Sequence, residues 1–424
     1  MESELLILAV MVAVFAGGCF GLKLPVALGL AAASVAGALV AGMGVPIRHL
    51  VEGMFSFFDF LLIIATAMIY MKVLQHTGVM DTLGRQVTEA FYRKPSLLLM
   101  VLMLLILFPG AITGSSTACV FTTGALVAPV MMNLGIPRVQ TAAIIAIGSL
   151  LGMIAPPVCL PAMIIGEGLD MPYVGFFWPL TLLTVPLAMF FVLAMGRRYV
   201  RRDIDIAELS ASMPPSLFAD YGWKLYLPLG VLFALMVAPK AAPQYIYDPG
   251  LSFAFVISTA VGLFTGRKIR FLQTAKAAMK EAIPIMGILM GVGMFIQVMT
   301  LTGARGAFVV TSLTLPKAWL LVAVATAIPA FGAVSAIGSA SVLGVPIALA
   351  LLGNDQILAV SALALVASLG DLVPPTALAG LFAAQILQIE NYFTVLRRCL
   401  WPALVIDLVG VAALAYVNWI GKLL

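Results

Sequence analysis

The sequence predicts an all-α polytopic membrane protein of two inverted repeats, each with five spans, a re-entrant hairpin and a Pro-Pro-broken helix. Three observations carry this expectation. The chain is too apolar for water. A Leu-Gly-x-x-x-Pro-Pro motif recurs in both halves. The basic residues gather on one side only if two apolar stretches turn back on themselves.

Of 424 residues, 63% are hydrophobic and 10% charged, against roughly a quarter charged in soluble domains. With about 20 apolar residues per span, the chain has room for about ten to fourteen segments. The net charge of +5 is spread through short loops, which excludes a nucleic-acid-binding patch. The first apolar run follows the acidic Met1-Glu2-Ser3-Glu4 and reads as a first span rather than a cleaved leader. Cys19, Cys119, Cys159 and Cys399 lie in or beside apolar runs and read as free thiols. His49 and His76 are far apart, and neither His-x-x-x-His nor Gly-x-Ser-x-Gly occurs. No enzyme chemistry and no cofactor are expected.

Spans are expected near 3–20, 25–43, 57–74, 141–168 and 174–196, closing a first repeat at residue 200. A charged linker, 201–223, follows. The second repeat, 224–424, is expected to span near 225–238, 251–265, 282–301, 356–388 and 400–420. The stretches about 97–131 and 318–352 are interrupted by small polar residues and read as hairpins. With both as hairpins, the clusters Arg197–Arg202 and Arg267–Lys280 fall on one side. By the positive-inside rule that side is cytoplasmic, and both termini are periplasmic. Five spans per half is an odd number, so the second half enters inverted.

The repeat shows in two motif pairs. Pro109-Gly-Ala-Ile-Thr-Gly-Ser-Ser-Thr117 has a partner in the stretch from Pro329 to Ser341, and Pro156-Pro157 lies 218 positions before Pro374-Pro375. Consecutive prolines remove two N–H donors and obstruct the preceding turn. Each should part its helix into two halves, and the freed backbone must line a protein cavity because lipid cannot satisfy it. Carbonyls there suit a cation and helix N-termini an anion. The tips Thr113–Thr117 and Ser335–Ser341 would bring hydroxyls to the same place. Each feature has a plainer reading: small residues allow close helix packing, and Pro-Pro alone can be a kink.

Together these residues resemble the large membrane subunit of tripartite ATP-independent periplasmic (TRAP) transporters, within the ion-transporter superfamily. The likeness spans nearly the whole chain and is most specific at Gly114-Ser115-Ser116, Gly135-Ile-Pro137 and Gly152-x-x-x-Pro156-Pro157. It implies sodium-coupled import of organic acids such as C4-dicarboxylates by an elevator motion in the bacterial inner membrane. It also implies two partners, a small four-span membrane subunit and a periplasmic solute-binding protein. The ion-site residues it carries over are Ser115, Ser116, Gly152 and Pro156, then Gly338, Ser339, Gly370 and Pro374, with Na+ expected at Ser115, Ser116, Gly152, Gly338, Ser339 and Gly370. Thr113, Gly114, Pro157, Ser335, Asp371, Pro375 and Thr376 complete the candidate ion- and substrate-binding set.

The second break departs from the family's usual Gly-x-x-Thr-Pro-Pro. It reads Gly370-Asp371-Leu-Val373-Pro-Pro-Thr376, and the second hairpin lacks a clean Gly-Ser-Ser. This leaves open a proton in place of sodium, and a transporter of the same fold that needs no binding protein. A carboxylate at a midplane break is costly unless paired or functional, so Asp371 reads as a cation ligand, a proton carrier or a structural acid. Asp407 reads as a packing or interfacial acid, Asp59 and Glu167 as span-end acids, and Phe55, Phe57, Phe58 and Phe60 as an interfacial aromatic cluster.

Overall fold

The computed structural model describes residues 2–200, 213–242, 244–314, 316–351, 355–374 and 376–421. Pro375 and the linker stretch 201–212 lie outside the described residues. Among the described residues every regular element is a helix, and eight helices are long and apolar enough to cross a membrane.

The first half begins with α1 (Glu2–Ala16), extended by a π turn over Gly17–Gly21, and α2 (Val26–Val40). The amphipathic α3 (Ile47–Ser56) is separated from α4 (Phe58–His76) only at Phe57. A second amphipathic helix, α5 (Val79–Phe91), leads to the first hairpin, which is α6 (Pro95–Thr113), α7 (Ser116–Cys119), a π turn and α8 (Ala125–Asn133). The first broken helix is α9 (Arg138–Ile154) with α10 (Leu160–Gly168), followed by α11 (Phe177–Gly196).

The second half repeats this order: α12 (Leu227–Ala241), α13 (Gly250–Thr265), α14 (Phe271–Leu301) and α15 (Ala304–Thr314). Its hairpin is α16 (Lys317–Gly332), α17 (Ala336–Ser339), a π turn and α18 (Val345–Ala350). Its broken helix is α19 (Gln356–Ser368), a 3-10 turn over Leu369–Leu372, and α20 (Leu378–Ile386), before α21 (Tyr392–Ala415). The span expected near 282–301 is thus one 31-residue helix that starts at Phe271; it takes the place that α3 and α4 share in the first half. The sequence reading did not anticipate α5 and α15.

Both apolar stretches turn back. Leu99 near the start of α6 and Ile136 just beyond α8 both lie beside Gly196. In the second hairpin Lys317 donates to the Ala415 carbonyl, while Asp355, beyond the returning arm, donates its backbone N–H to Asn418 Oδ1 and packs on Gly421. The outer ends of each hairpin therefore meet the same neighbours.

Packing divides the helices by role rather than by sequence half. One core joins both hairpins, both broken helices, α11 and α21. Another is built on α1, α2, α4, α12, α13 and α14, and meets α10 through Leu160, Met163 and Ile164 and the hairpins through Ile112, Val334 and Val342. The amphipathic α5 runs between them, with Val79 and Met80 in the second core and Leu83, Val87 and Phe91 against the first. Of the four expected interfacial phenylalanines, Phe55 and Phe58 are exposed, but Phe57 and Phe60 are buried. Phe57 enters the core because Gly53 lets α3 press onto Gly293 of α14, which brings the ring against that crossing. The four cysteines are free, and all but Cys19 are buried.

Candidate functional site

Each hairpin turns by a different local device. At the end of α6, Thr113 Oγ1 bonds back to the Pro109 carbonyl at 2.7 Å, and Gly114 takes φ +65°, a conformation glycine adopts freely. Ser115 then caps the returning arm, accepting from the Ala118 N–H at 3.4 Å, and its hydroxyl meets Thr117 Oγ1 at 2.8 Å. In the second hairpin the turn runs through Ala333 and Val334 with no positive φ, and Ser335 caps the arm from Gly338 N at 3.1 Å. Ser115 and Ser335 are therefore equivalent, and so are the π turns that follow, Val120–Gly124 and Ala340–Gly344. Gly338 and Ser339 lie a turn beyond the tip. Ser339 is buried with its hydroxyl donating to the Ile328 carbonyl at 2.6 Å, and Gly338 packs near Phe15.

Each break is strapped to the hairpin of its own half. Past α9 the chain extends at Ala155 into a cis Pro156-Pro157, and Val158 N donates to the Ala111 carbonyl at 2.9 Å. In the second half Thr376 Oγ1 donates to the Ala333 carbonyl at 2.9 Å, and Tyr392 Oη donates to the Leu372 carbonyl at 2.6 Å. Gly152 and Gly370 sit where break and hairpin cross. A Cβ on Gly370 would come within 2.5 Å of the Gly332 backbone, and one on Gly152 within 2.9 Å of the Leu107 carbonyl. Their own carbonyls accept from Ala155 and Val373. Gly110 and Gly332, the hairpin sides of these crossings, escaped the sequence reading; they fall one and three residues after Pro109 and Pro329, so no shared register marked them.

A cavity of about 530 Å³ lies on the seam between the two cores. Gly114, Ser115, Ser116 and Thr117 of the first tip line it, with Ser335 of the second tip and Asp371 and Thr376 of the second break. Ser116 donates to Asp371 Oδ2, which joins the first hairpin to the second break. Asp371 is 5% exposed. Pro156 and Pro157 stand apart from this group, lining a cavity of about 260 Å³ with Tyr173, Lys240 and Asp248. Gly152, Gly338, Ser339, Gly370 and Pro374 are off the wall of both cavities.

The opposite wall of the larger cavity comes from α4 and α14. Lys72 and Gln75 face it from α4, and Glu281 and Pro284 from α14. Lys72 Nζ meets Glu281 Oε1 at 2.5 Å. Sequence reasoning used Lys72 only as a marker of sidedness, yet a charge inside an apolar span is itself a functional signal.

Two folded-back hairpins bring their tips to a proline-broken helix over one cavity, whose largely apolar wall carries a few hydroxyl and carboxylate oxygens. The profile described as "Tripartite ATP-independent periplasmic transporter, DctM component" matches residues 11–420. The chain belongs to the DctM family. This DctM protein is therefore a multi-span transporter permease, one component of a tripartite assembly. No curated protein sequence matches it. Among solved structures, the Alcanivorax borkumensis YdaH transporter is similar, with a TM-score of 0.62, 17% identity and 89% of each chain covered. At that identity the likeness concerns the fold alone.

Proposed function

We propose that this permease imports organic acids, C4-dicarboxylates among them, in symport with sodium, by an elevator motion of the hairpin-bearing core against the long-helix core. The observation that carries this reading is the convergence of both hairpin tips and the second break on one cavity at the seam of the two cores. A site on a seam changes its access when one core slides past the other. Hydroxyls of Ser115, Ser116 and Thr117 and the carboxylate of Asp371 are hard oxygen donors of the kind alkali cations take. The sodium ion, as co-transported cargo, brings positive charge to a cavity where an organic anion must also rest. The two halves are inverted repeats, both termini are periplasmic, and the protein sits in the bacterial inner membrane with a four-span membrane subunit and a periplasmic solute-binding protein.

The test is uptake into proteoliposomes holding the permease and its partner subunits, with a panel of carboxylates and with or without an inward sodium gradient. Gradient-driven uptake that requires the binding protein is the expected result. Uptake without the binding protein would assign the chain to the self-sufficient class. Absence of gradient-driven uptake of every acid would overturn the reading.

A further inference from the structure

Besides the hairpin oxygens, one ion pair faces the larger cavity. Lys72 is 18% exposed and Glu281 52%, so the ammonium is held within the protein while the carboxylate stands more open. Among the described residues lining the cavity, Lys72 is the one basic side chain. Lys72 stands on α4 and Glu281 on α14, helices of the core built on α1, α2, α4, α12, α13 and α14. Gln75, one helical turn beyond Lys72 on the same face, adds an amide to this wall. Pro284 follows Glu281 within the turn and removes the N–H that would bond to the Lys280 carbonyl, which loosens the helix where Glu281 stands.

We infer that Lys72 receives a carboxylate of the transported acid in the cytoplasm-facing state, and that Glu281 is a built-in competitor that displaces it. The inference rests on the organic-acid reading above. Exchange of one carboxylate for another keeps Lys72 paired at every stage, so no buried charge is left bare, which is the costly alternative. The acid's carboxylate displaces Glu281 from Lys72 on binding, and Glu281 closes back on Lys72 at release. Lys72 stands at the cytoplasmic end of α4 in the charge-based topology. Because it does not travel with the hairpins, it touches the acid only in the cytoplasm-facing state. The pair therefore sets affinity on the release side alone.

The two partners should then have opposite effects. In the reconstituted assembly, the probe is whichever of succinate, malate, pyruvate and lactate the wild-type protein imports, and the readout is the internal concentration that halves uptake. Lys72→Gln should raise that concentration about tenfold and Glu281→Gln should lower it about tenfold, the scale of one charge-assisted contact. The external half-saturation constant should stay unchanged in both. Glu281→Gln should also slow maximal uptake, because the acid leaves more slowly. A purely structural ion pair would move both variants in the same direction. Same-direction shifts, no shifts, or equal shifts at the external face overturn the inference. Lys72→Arg keeps the charge and should stay within a few-fold of wild type; if Lys72→Gln does not fold, the Glu281→Gln result decides alone. Import of none of the four acids by the wild type would fail the functional reading instead, a result distinct from failure of the Lys72 assignment.

Discussion

In the first hairpin the chain turns through a left-handed Gly114 and offers Ser115, Ser116 and Thr117 in succession. In the second it turns through Ala333 and Val334 and offers Ser335 followed by Ala336 and Ile337. The breaks differ the other way. Met153 and Val158 of the first correspond to Asp371 and Thr376 of the second, at the offset of 218 set by the paired prolines. Polar equipment is thus divided crosswise: the first half keeps it at the tip, the second at the break. The Ser116–Asp371 hydrogen bond joins those two places, while the first break shows that cavity only the apolar Met153 and its prolines line another. Two repeats of one plan supply a single mixed polar centre rather than two equal ones.

What the halves keep in common is steric, and breaking it should have the largest effect. Gly110 crosses Gly152, and Gly332 crosses Gly370, with backbone against backbone. Gly370→Ala should cost about 3 kcal/mol, at the upper end for overpacking, since no flexible side chain can yield. Gly152→Ala, whose neighbours include the softer Cys119 sulfur, should cost less. Melting temperatures of the detergent-solubilised variants check the order. Equal tolerance at both crossings would remove the shared element from the comparison.

The second test concerns the crosswise bond. Ser116→Ala leaves the Asp371 carboxylate buried without its hydroxyl donor, a loss of about 1–3 kcal/mol. It should weaken the sodium dependence of uptake more than it lowers expression. Asp371→Asn keeps a partner for Ser116 and should perturb folding less, while reducing apparent sodium affinity. Because the residues touch, the double variant should depart from additivity by about 0.5–3 kcal/mol. Additive behaviour would mean that the two polar places act separately.

Much of this plan was legible in the sequence. Apolar length marked the spans, and the paired prolines located both breaks because a lost N–H is a local fact of the chain. Basic residues marked the hairpins because sidedness depends only on their count. The register of the second tip was less legible. Gly338-Ser339 is the nearest counterpart of Gly114-Ser115 in letters, but the turn there is made without glycine, and the cap is Ser335. Thr376 likewise looked displaced, until its side-chain hydroxyl proved to make the strap that Val158 makes with its backbone N–H. Equivalent contacts made by different atoms leave no trace in a motif. Lys72 and Glu281 are 209 positions apart, and no local pattern pairs them.

The smallest effect should come from one position that the two halves fill differently. Cys119 and Ser339 each end the first turn of a returning arm. Ser339 donates to the Ile328 carbonyl at 2.6 Å, whereas Cys119 Sγ reaches toward the Leu107 carbonyl at 4.0 Å and sits beside the Gly110–Gly152 crossing. The sulfur serves mainly as volume at a crossing, the hydroxyl mainly as a donor. Ser339→Cys exchanges a strong donor for a weak one and adds bulk to a buried site, so it should destabilise by about 1 kcal/mol. Cys119→Ser gains a better donor for the Leu107 carbonyl but gives up the larger atom that fills the crossing. The two changes oppose each other, and the net shift should stay within about 0.5 kcal/mol. Paired melting curves of the two variants read this directly. A Cys119→Ser loss as large as that of Ser339→Cys would mean that packing, not hydrogen bonding, governs both arms.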